Sequence, residues 1–238
     1  MNGHPRIHDG ELLVVSHAST IAAQPSAYKA GHFAILLICS FFVGAMMGVI
    51  VETAWGAIRF GVLERRSGLL FFPFINPVYG AGAMILTIVG RKTKDNIPHA
   101  FIVSTICGAT LEYTISLLQE QLTGSISWDY SDIAGNIGGR IHPLYCLAWG
   151  ALGLLWISRI LPHISLLARK LDTNSGHIMA VVAVLLVCFD LACSAFAVHR
   201  WTQRTAGTQA DTPLESYFDT RYDDATMRRY YPNLRILP

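Results

Sequence analysis

The chain has 238 residues, of which 52% are hydrophobic and 14% are charged, and its mean hydropathy is +0.40. Soluble domains usually carry about 25% charged residues, so the composition excludes an ordinary soluble protein and predicts one embedded in a lipid bilayer. The formal net charge of +2 is too small to indicate nucleic acid as a partner. We therefore expect an all-α fold, a polytopic membrane helix bundle with two soluble tails.

The two tails differ in character. Residues 1–32 form the N-terminal tail; their apolar patch, ELLVVSHASTIAA, does not follow a cationic start, so we expect no cleavable signal peptide. The bundle is predicted over residues 33–199. Residues 200–238 form the C-terminal tail, which is rich in charged and aromatic residues. This composition is too aromatic for simple disorder and favours docking on the bundle or on a partner.

Four apolar segments are long enough to cross a bilayer as helices, which takes about 20 residues. They are residues 33–58, 98–120, 141–162 and 177–199. A fifth apolar segment, residues 69–90, contains Pro73 and Pro77. Because proline removes a backbone donor and clashes with the preceding turn, this segment must kink or break. The sequence thus predicts about five transmembrane segments, one of them proline-broken or re-entrant.

Basic residues on both sides of the fifth segment leave its path open. Those before it are Arg59, Arg65 and Arg66, and those after it are Arg91, Lys92 and Lys94. If the segment crosses fully, the two groups lie on opposite sides of the membrane, against the positive-inside rule. If it is re-entrant, both groups lie in the cytoplasm. The charge count favours re-entrance, but packing in a bundle can override it, and we favour five spans.

Two spans carry a glutamate on a stripe of small residues, because positions four apart share one face of a helix. In the segment 33–58, the stripe is Gly44, Gly48, Glu52 and Gly56. In the segment 98–120, it is Ser104, Gly108, Glu112, Ser116 and Glu120. Small residues let membrane helices approach closely. Each stripe therefore places its carboxylate against a partner helix.

An ionised carboxylate in hydrocarbon costs about 2.5–3.5 kcal/mol or more, so Glu52 and Glu112 are expected to face a polar interior. Arg140 is the predicted cationic partner, and His142 could share the site. The alternative is that both glutamates are structural and hydrogen-bond across helices. Asp190 in the last span lies on no comparable stripe, and a structural role is favoured for it.

Three groups of residues together resemble a known family. They are ETAW at 52–55, PVYGAGA at 77–83, and LEY at 111–113 followed by WDYSD…N…GRI…WG up to residue 150. Over about residues 35–195 this pattern resembles the ABC-transporter type IV family, small bacterial membrane proteins regarded as permeases. The resemblance implies a multi-pass protein of the bacterial cytoplasmic membrane. It also implies recurring polar residues at Glu52, Tyr79, Glu112, Tyr113, Trp128, Asp129, Tyr130, Ser131, Asn136, Arg140 and Trp149.

The polar loop at residues 127–142 is predicted to cap the bundle. Gly135, Gly138 and Gly139 permit a tight return of the chain, which would bring Arg140 to Glu52 or Glu112; a purely structural connector is the alternative. The predicted substrate-binding residues are Glu52, Tyr79, Glu112, Tyr113, Asp129, Asn136, Arg140 and His142. No catalytic residue, metal ligand or cofactor is predicted.

The function indicated is that of a permease-like subunit that moves a cation or a small polar solute, with a homodimer mate or another subunit as partner. The chain lacks a G-x-x-x-x-G-K-[ST] loop, since GRKTKDN at 90–96 has the wrong spacing, so ATP hydrolysis would need a separate ATPase subunit. A non-enzymatic role is favoured. The alternatives are an intramembrane enzyme for a lipid-linked substrate or peptide, with the two glutamates as acid and base, and a non-catalytic assembly factor.

Overall fold

The computed structural model describes residues 26–61 and 66–237. The first 25 residues, on which most of the predicted N-terminal tail and the signal-peptide expectation fall, lie outside the described residues.

Helices make up nearly all of the regular structure in the described ranges. In chain order they are α1 (Ser26–Phe60), α2 (Pro77–Thr93), α3 (Ile97–Thr123), α4 (Pro143–Leu155), α5 (Leu161–Leu171), α6 (Asn174–Thr205), α7 (Pro213–Arg221) and α8 (Asp224–Tyr230). A π-helical segment, Trp156–Ile160, joins α4 to α5, and β1 (Ser125–Ile126) pairs antiparallel with β2 (Arg235–Ile236). The predicted all-α class is confirmed.

Within the part of the chain that the structure describes, four helices are long and apolar enough to cross a membrane. They are Ala30–Ile58, Ile97–Thr123, Pro143–Leu171 and Asn174–Thr205. Each overlaps one of the four segments predicted from hydropathy, so the polytopic membrane bundle is confirmed. Prolines and side-chain caps set two of the starts: Asn96 caps α3 and His142 caps α4, each followed within two residues by a proline, which the first turn tolerates because it needs no amide there.

The fifth predicted segment is broken at its prolines. Residues 66–76 are non-helical, and α2 begins only at Pro77. The side-chain oxygen of Asn76 accepts a hydrogen bond from the amide of Val78 (3.1 Å) and so caps α2. The amide of Asn76 itself donates to the carbonyl of Ala45 (3.1 Å), near the middle of α1. The helix therefore starts deep in the bundle, beside the first span.

The path of this segment follows from its contacts with α1. It leaves the C-terminal end of α1, reaches Ala45 at Asn76, and then runs antiparallel to α1 until Arg91, whose guanidinium lies 4.5 Å from the ring of Phe33 near the start of α1. Helix α2 has 17 residues, or about 25 Å, which is shorter than a hydrocarbon core of about 30 Å. The non-helical residues 66–76, here called the extended leg, and the helix α2 together pass along the bundle. This path favours a broken crossing over a re-entrant loop.

The extended leg is held by the carboxylate of Asp190 in α6. Its two oxygens accept hydrogen bonds from the amides of Leu70 (3.1 Å), Phe71 (3.1 and 3.2 Å) and Phe72 (2.8 Å), and from the hydroxyl of Ser194 (3.0 Å). Asp190 is 0% exposed. Amides freed by the break cannot reach water at this depth, and this carboxylate satisfies them, which supports the structural role favoured for it.

The glycine stripes allow the close helix contacts that were predicted. A Cβ atom on Gly48 would collide with the side chain of Tyr79 in α2, and one on Gly108 would collide with the indole of Trp149 in α4. Backbones therefore approach closely at these two positions, with an aromatic ring packed over each glycine. The stripes of α1 and α3 face α2 and α4, respectively.

The C-terminal tail packs against the C-terminal part of α6. Its core joins Phe218, Tyr222 and Met227 of the tail to Trp201 of α6 and to Leu70 of the extended leg. The docking on the bundle that the aromatic composition favoured is therefore present. Helix α6 itself continues to Thr205, beyond the predicted end of the bundle at residue 199.

Candidate functional site

Glu52 lies on the third turn from the end of α1 and is bonded from two sides. Its Oε1 atom accepts a hydrogen bond from the hydroxyl of Tyr79 (2.8 Å), and its Oε2 atom lies 3.9 Å from Nη1 of Arg66. The side chain of Glu52 is 31% exposed, whereas that of Arg66 is 12% exposed. Glu52 therefore has a phenol and a guanidinium as neighbours and still keeps an accessible edge.

Arg66 is a residue of this site that the sequence reasoning missed. It was counted among the loop charges, but its guanidinium occupies the space over Gly56, where a Cβ atom would lie 2.8 Å from the arginine Nε. The available signal was the stripe itself, because Gly56 stands one turn beyond Glu52 and leaves room for a long side chain beside the carboxylate.

Glu112 lies in α3 and is bonded by two neutral donors. Its Oε1 accepts from the hydroxyl of Tyr130 (3.1 Å), and its Oε2 accepts from the indole Nε1 of Trp149 (3.1 Å). Trp149 is 8% exposed. Tyr130 and Trp149 stand in the family pattern but were not chosen as site residues. Each oxygen of this carboxylate has a donor, so Glu112 is held in one orientation.

The two glutamates are joined through aromatic rings. The rings of Tyr79 and Trp149 lie with centroids 5.9 Å apart, and each ring carries the donor for one of the carboxylates. A continuous series of contacts thus runs from Arg66 through Glu52 and the two rings to Glu112. The expectation that both acids meet a polar interior fits this arrangement.

Arg140 lies at the end of the α3 stripe, although the sequence predicted it beside Glu52 or Glu112. Its guanidinium contacts Glu120 and donates to the hydroxyl of Ser116 (3.0 Å), so the expected pairing with Glu52 or Glu112 is wrong. The reason is the position of the loop. The chain enters α4 at Pro143, and this leaves Arg140 at the end of the α3 stripe, two turns beyond Glu112.

Tyr113 and Asn136 support the loop rather than the two glutamates. The ring of Tyr113 lies 5.9 Å from the guanidinium carbon of Arg140. The Asn136 amide donates to the carbonyl of Ile133 (2.8 Å) and accepts from the amide of Gly139 (2.8 Å). Positive φ angles at the predicted glycines, namely 89° at Gly135, 61° at Gly138 and 70° at Gly139, confirm the tight return.

Asp129 fastens the loop to the C-terminal tail. Its Oδ1 accepts from the amide of Ser131 (2.9 Å), and its Oδ2 lies 2.8 Å from Nη1 of Arg235. These bonds hold the pKa of Asp129 below its usual range, first through Ser131 and then through Arg235. In the same loop, burial and the neighbouring Glu112 carboxylate raise the pKa of Tyr130, so its hydroxyl remains a donor at neutral pH.

His142 caps a helix. Its Nδ1 accepts from the amide of Leu144 (3.3 Å) at the start of α4, and its Nε2 lies 3.2 Å from the carbonyl of Ala134. His142 thus caps α4 and does not contact Glu52 or Glu112 as a member of their site. Within residues 26–61 and 66–237, no group of three or more His, Cys, Asp or Glu side chains is placed to hold a metal ion.

Comparison with known proteins identifies the family. A family model described as "Putative ABC-transporter type IV" matches residues 39–195, which is more than half of the chain. A search of curated proteins gave no match, and a search of solved structures gave none. The match includes Glu52, Tyr79, Glu112 and the capping loop. The chain therefore belongs to the ABC-transporter type IV family of membrane proteins.

Proposed function

We propose that this protein is a permease-like subunit of the bacterial cytoplasmic membrane that binds a cation or small polar solute between Glu52 and Glu112. The observation that supports this most directly is the pair of intramembrane carboxylates on α1 and α3, which are joined through Tyr79 of α2 and Trp149 of α4. Acidic residues inside membrane spans mark solute or proton paths more often than they have only a structural role.

The broken segment supports a transport role. Helix α2 begins at Pro77 beside the middle of α1, and Tyr79, in its first turn, donates to Glu52. Interrupted helices whose ends meet near the middle of a bundle are a common way to build a solute site. The first turn of α2 would thereby sense whether Glu52 holds a proton, a solute or neither.

The charges around the pair favour a cationic solute. If both glutamates are ionised, they carry two negative charges, and Arg66 at 3.9 Å from Glu52 offsets one of them. Arg140 is engaged with Glu120 at the rim and so leaves the pair with an excess of negative charge. A bound cation or a transferred proton would balance it.

The partners belong to the proposal as well. Four spanning helices and one broken segment are few for a complete carrier, so a homodimer mate or another subunit is expected. The family's label adds a separate ATPase subunit as a candidate partner.

The test is a pair of carboxylate-to-amide changes, Glu52→Gln and Glu112→Gln. Each glutamine can keep the local bonds, because a tyrosine hydroxyl can accept as well as donate and so can receive the new amide N–H. Folding should persist, measured as the thermal unfolding temperature in detergent. Transport should be lost, measured as solute uptake into proteoliposomes and as rescue of a deletion strain.

The matched control is Glu120→Gln, which changes the second acid of the α3 stripe, at the rim with Arg140; this variant should retain more uptake than either inner variant. Full activity of both inner variants would overturn the proposal and leave a structural polar core. Modified lipid or peptide without uptake would instead identify an intramembrane enzyme.

A further inference from the structure

An apolar groove lies between α1 and the helix formed by α4 and the π-helical segment. Helix α2 forms the floor of the groove with Tyr79, Ala83 and Leu86. On the α1 side, Gly48 packs against the side chain of Tyr79. The other wall includes Trp156 of the π-helical segment. Such bulges in a helix occur often at functional sites.

The groove opens sideways and is closed at one end. Val51 on the α1 side is 43% exposed and Leu155 on the α4 side is 47% exposed, so the mouth lies where lipid would meet the bundle. Towards the N-terminus of α1, Ile164 and Ala168 of α5 pack against Ile35 and close the groove. A chain entering from the bilayer would therefore lie along the helices rather than pass between them.

Two residues that line the groove also contact the acidic pair, Glu52 and Glu112. Tyr79 and Trp149 belong both to the groove lining and to the contacts with the carboxylates, because Tyr79 donates to Glu52 and Trp149 donates to Glu112. Val51, at the mouth, directly precedes Glu52, whose side chain is 31% exposed. The residues that line the groove are thus apolar or aromatic, and the carboxylates of Glu52 and Glu112 lie beside it as the hydrogen-bond partners of Tyr79 and Trp149.

We propose that the groove and Glu52 form one binding site for a cationic amphiphile, an organic ammonium group attached to an aliphatic chain. The chain lies along the groove, and the ammonium group lies at Glu52 against the rings of Tyr79 and Trp149. This inference rests on the proposed function and specifies its substrate class.

Charge complementarity selects this occupant. Among the described residues, the guanidinium of Arg66 is the cation beside Glu52. When Glu52 and Glu112 are both ionised, an anionic head group would therefore be repelled and a cationic one attracted. Aromatic faces add cation–π attraction to an ammonium group. The stretch from Gly44 to Val51 covers about 10 Å of helix, which gives room for a medium-length aliphatic chain.

The experiment uses the purified full-length protein in a maltoside detergent and measures quenching of tryptophan fluorescence by a brominated chain. The probe is 12-bromododecyltrimethylammonium, and 12-bromododecyl sulfate is the probe of opposite charge. Trp149 and Trp156 face the groove, so a bromine bound there quenches them. The cationic probe should reach half-maximal quenching at a concentration lower by about tenfold than the anionic probe.

Three variants separate the two parts of the site. Glu52→Gln should weaken the cationic probe by about tenfold and leave the anionic probe little changed. Val51→Phe should fill the mouth of the groove and weaken both probes. The matched control, Leu185→Phe, adds the same ring at a position of α6 that is 63% exposed, and it should change neither.

Equal quenching by both probes, with no effect of Glu52→Gln, would overturn the proposal and identify the groove as a crevice for ordinary acyl chains. No saturable quenching, or no difference between Val51→Phe and Leu185→Phe, would overturn it as well. The outcome is independent of uptake. Selective quenching without uptake would retain the binding site and reject the permease, whereas uptake of a solute without quenching would do the reverse.

Discussion

At the residue scale, the intramembrane carboxylates of Glu52, Glu112 and Asp190 have three different sets of partners. Glu52 has a phenol and a guanidinium, Glu112 has a phenol and an indole, and Asp190 has three backbone amides and a serine hydroxyl. The first two each have a tyrosine hydroxyl as one partner, and that hydroxyl can reverse its hydrogen bond. The third has backbone amides that can only donate, so both of its oxygens must accept.

This difference predicts opposite effects of the same chemical change. Asp190→Asn should destabilise the fold by about 1–3 kcal/mol, because the new amide N–H groups would face the amides of the extended leg, and neither can accept. Glu52→Gln should have a small effect, since Tyr79 can accept. Thermal unfolding of both variants in one detergent measures the contrast. Similar unfolding temperatures for the two would show that Asp190 is not the anchor of the extended leg.

The arginines show where residue-scale prediction from sequence ends. The stripes correctly indicated that Glu52 and Glu112 are buried against partner helices, because helical periodicity is a local property. The cationic partner was assigned to Arg140, but Arg66 is the residue beside Glu52. Which arginine arrives depends on the path of the chain between helices, and neither spacing nor composition determines that path.

At the element scale, the segment between α1 and α3 has the most unusual path. Its prolines predicted a break, and the break lies at Pro77. The sequence did not show how the extended leg satisfies its amides, because their acceptor, Asp190, lies about 120 residues further along the chain. A side chain that looked isolated in the last span thus completes an element near the start of the bundle.

The path of this segment predicts its topology. Cysteines placed at Val62 and Lys94, in a background without the five native cysteines, should be labelled from opposite sides of the membrane by an impermeant maleimide. The reason is that α1 ends at Phe60, whereas Arg91 lies over Phe33 near the start of α1. A cysteine at Asp95 should match position 94 and serves as the control. Labelling of positions 62 and 94 from one side would establish a re-entrant loop.

At the scale of the whole molecule, the C-terminal tail ties together parts of the bundle that are distant in sequence. Its strand β2 pairs with β1 after α3, its Arg235 bonds Asp129 of the capping loop, and its aromatic core contacts Leu70 of the extended leg. Composition predicted that the tail would dock, but its docking place follows from these three long-range contacts. The tail is therefore positioned to hold both the capping loop and the broken segment.

The last prediction concerns the charged contact that fastens this tail. Asp219 of α7 binds Arg200 through two hydrogen bonds (2.7 and 3.1 Å) and Arg204 through a third (2.6 Å), and the Arg200 side chain is 1% exposed. Asp219→Asn would leave these arginines, one of them fully buried, without this carboxylate. Undocking should become easier by on the order of 3 kcal/mol. Trypsin should then cleave the tail at neutral pH about a hundredfold faster than in the wild type.

Acidification should reproduce this effect in the wild type, and the sign follows from the same bonds. The hydrogen bonds from Arg200, and then Arg204, hold the pKa of Asp219 below its usual range. A carboxylate with a lowered pKa in the folded state stabilises docking above its unfolded value of about 3.9 and loses that contribution as the pH falls through the lowered value. Pepsin should therefore release the tail only below about pH 4. The control, Asp211→Asn, changes an exposed aspartate of the same tail and should behave as the wild type. A tail of Asp219→Asn that resists trypsin as well as this control would show that the aromatic core alone holds it.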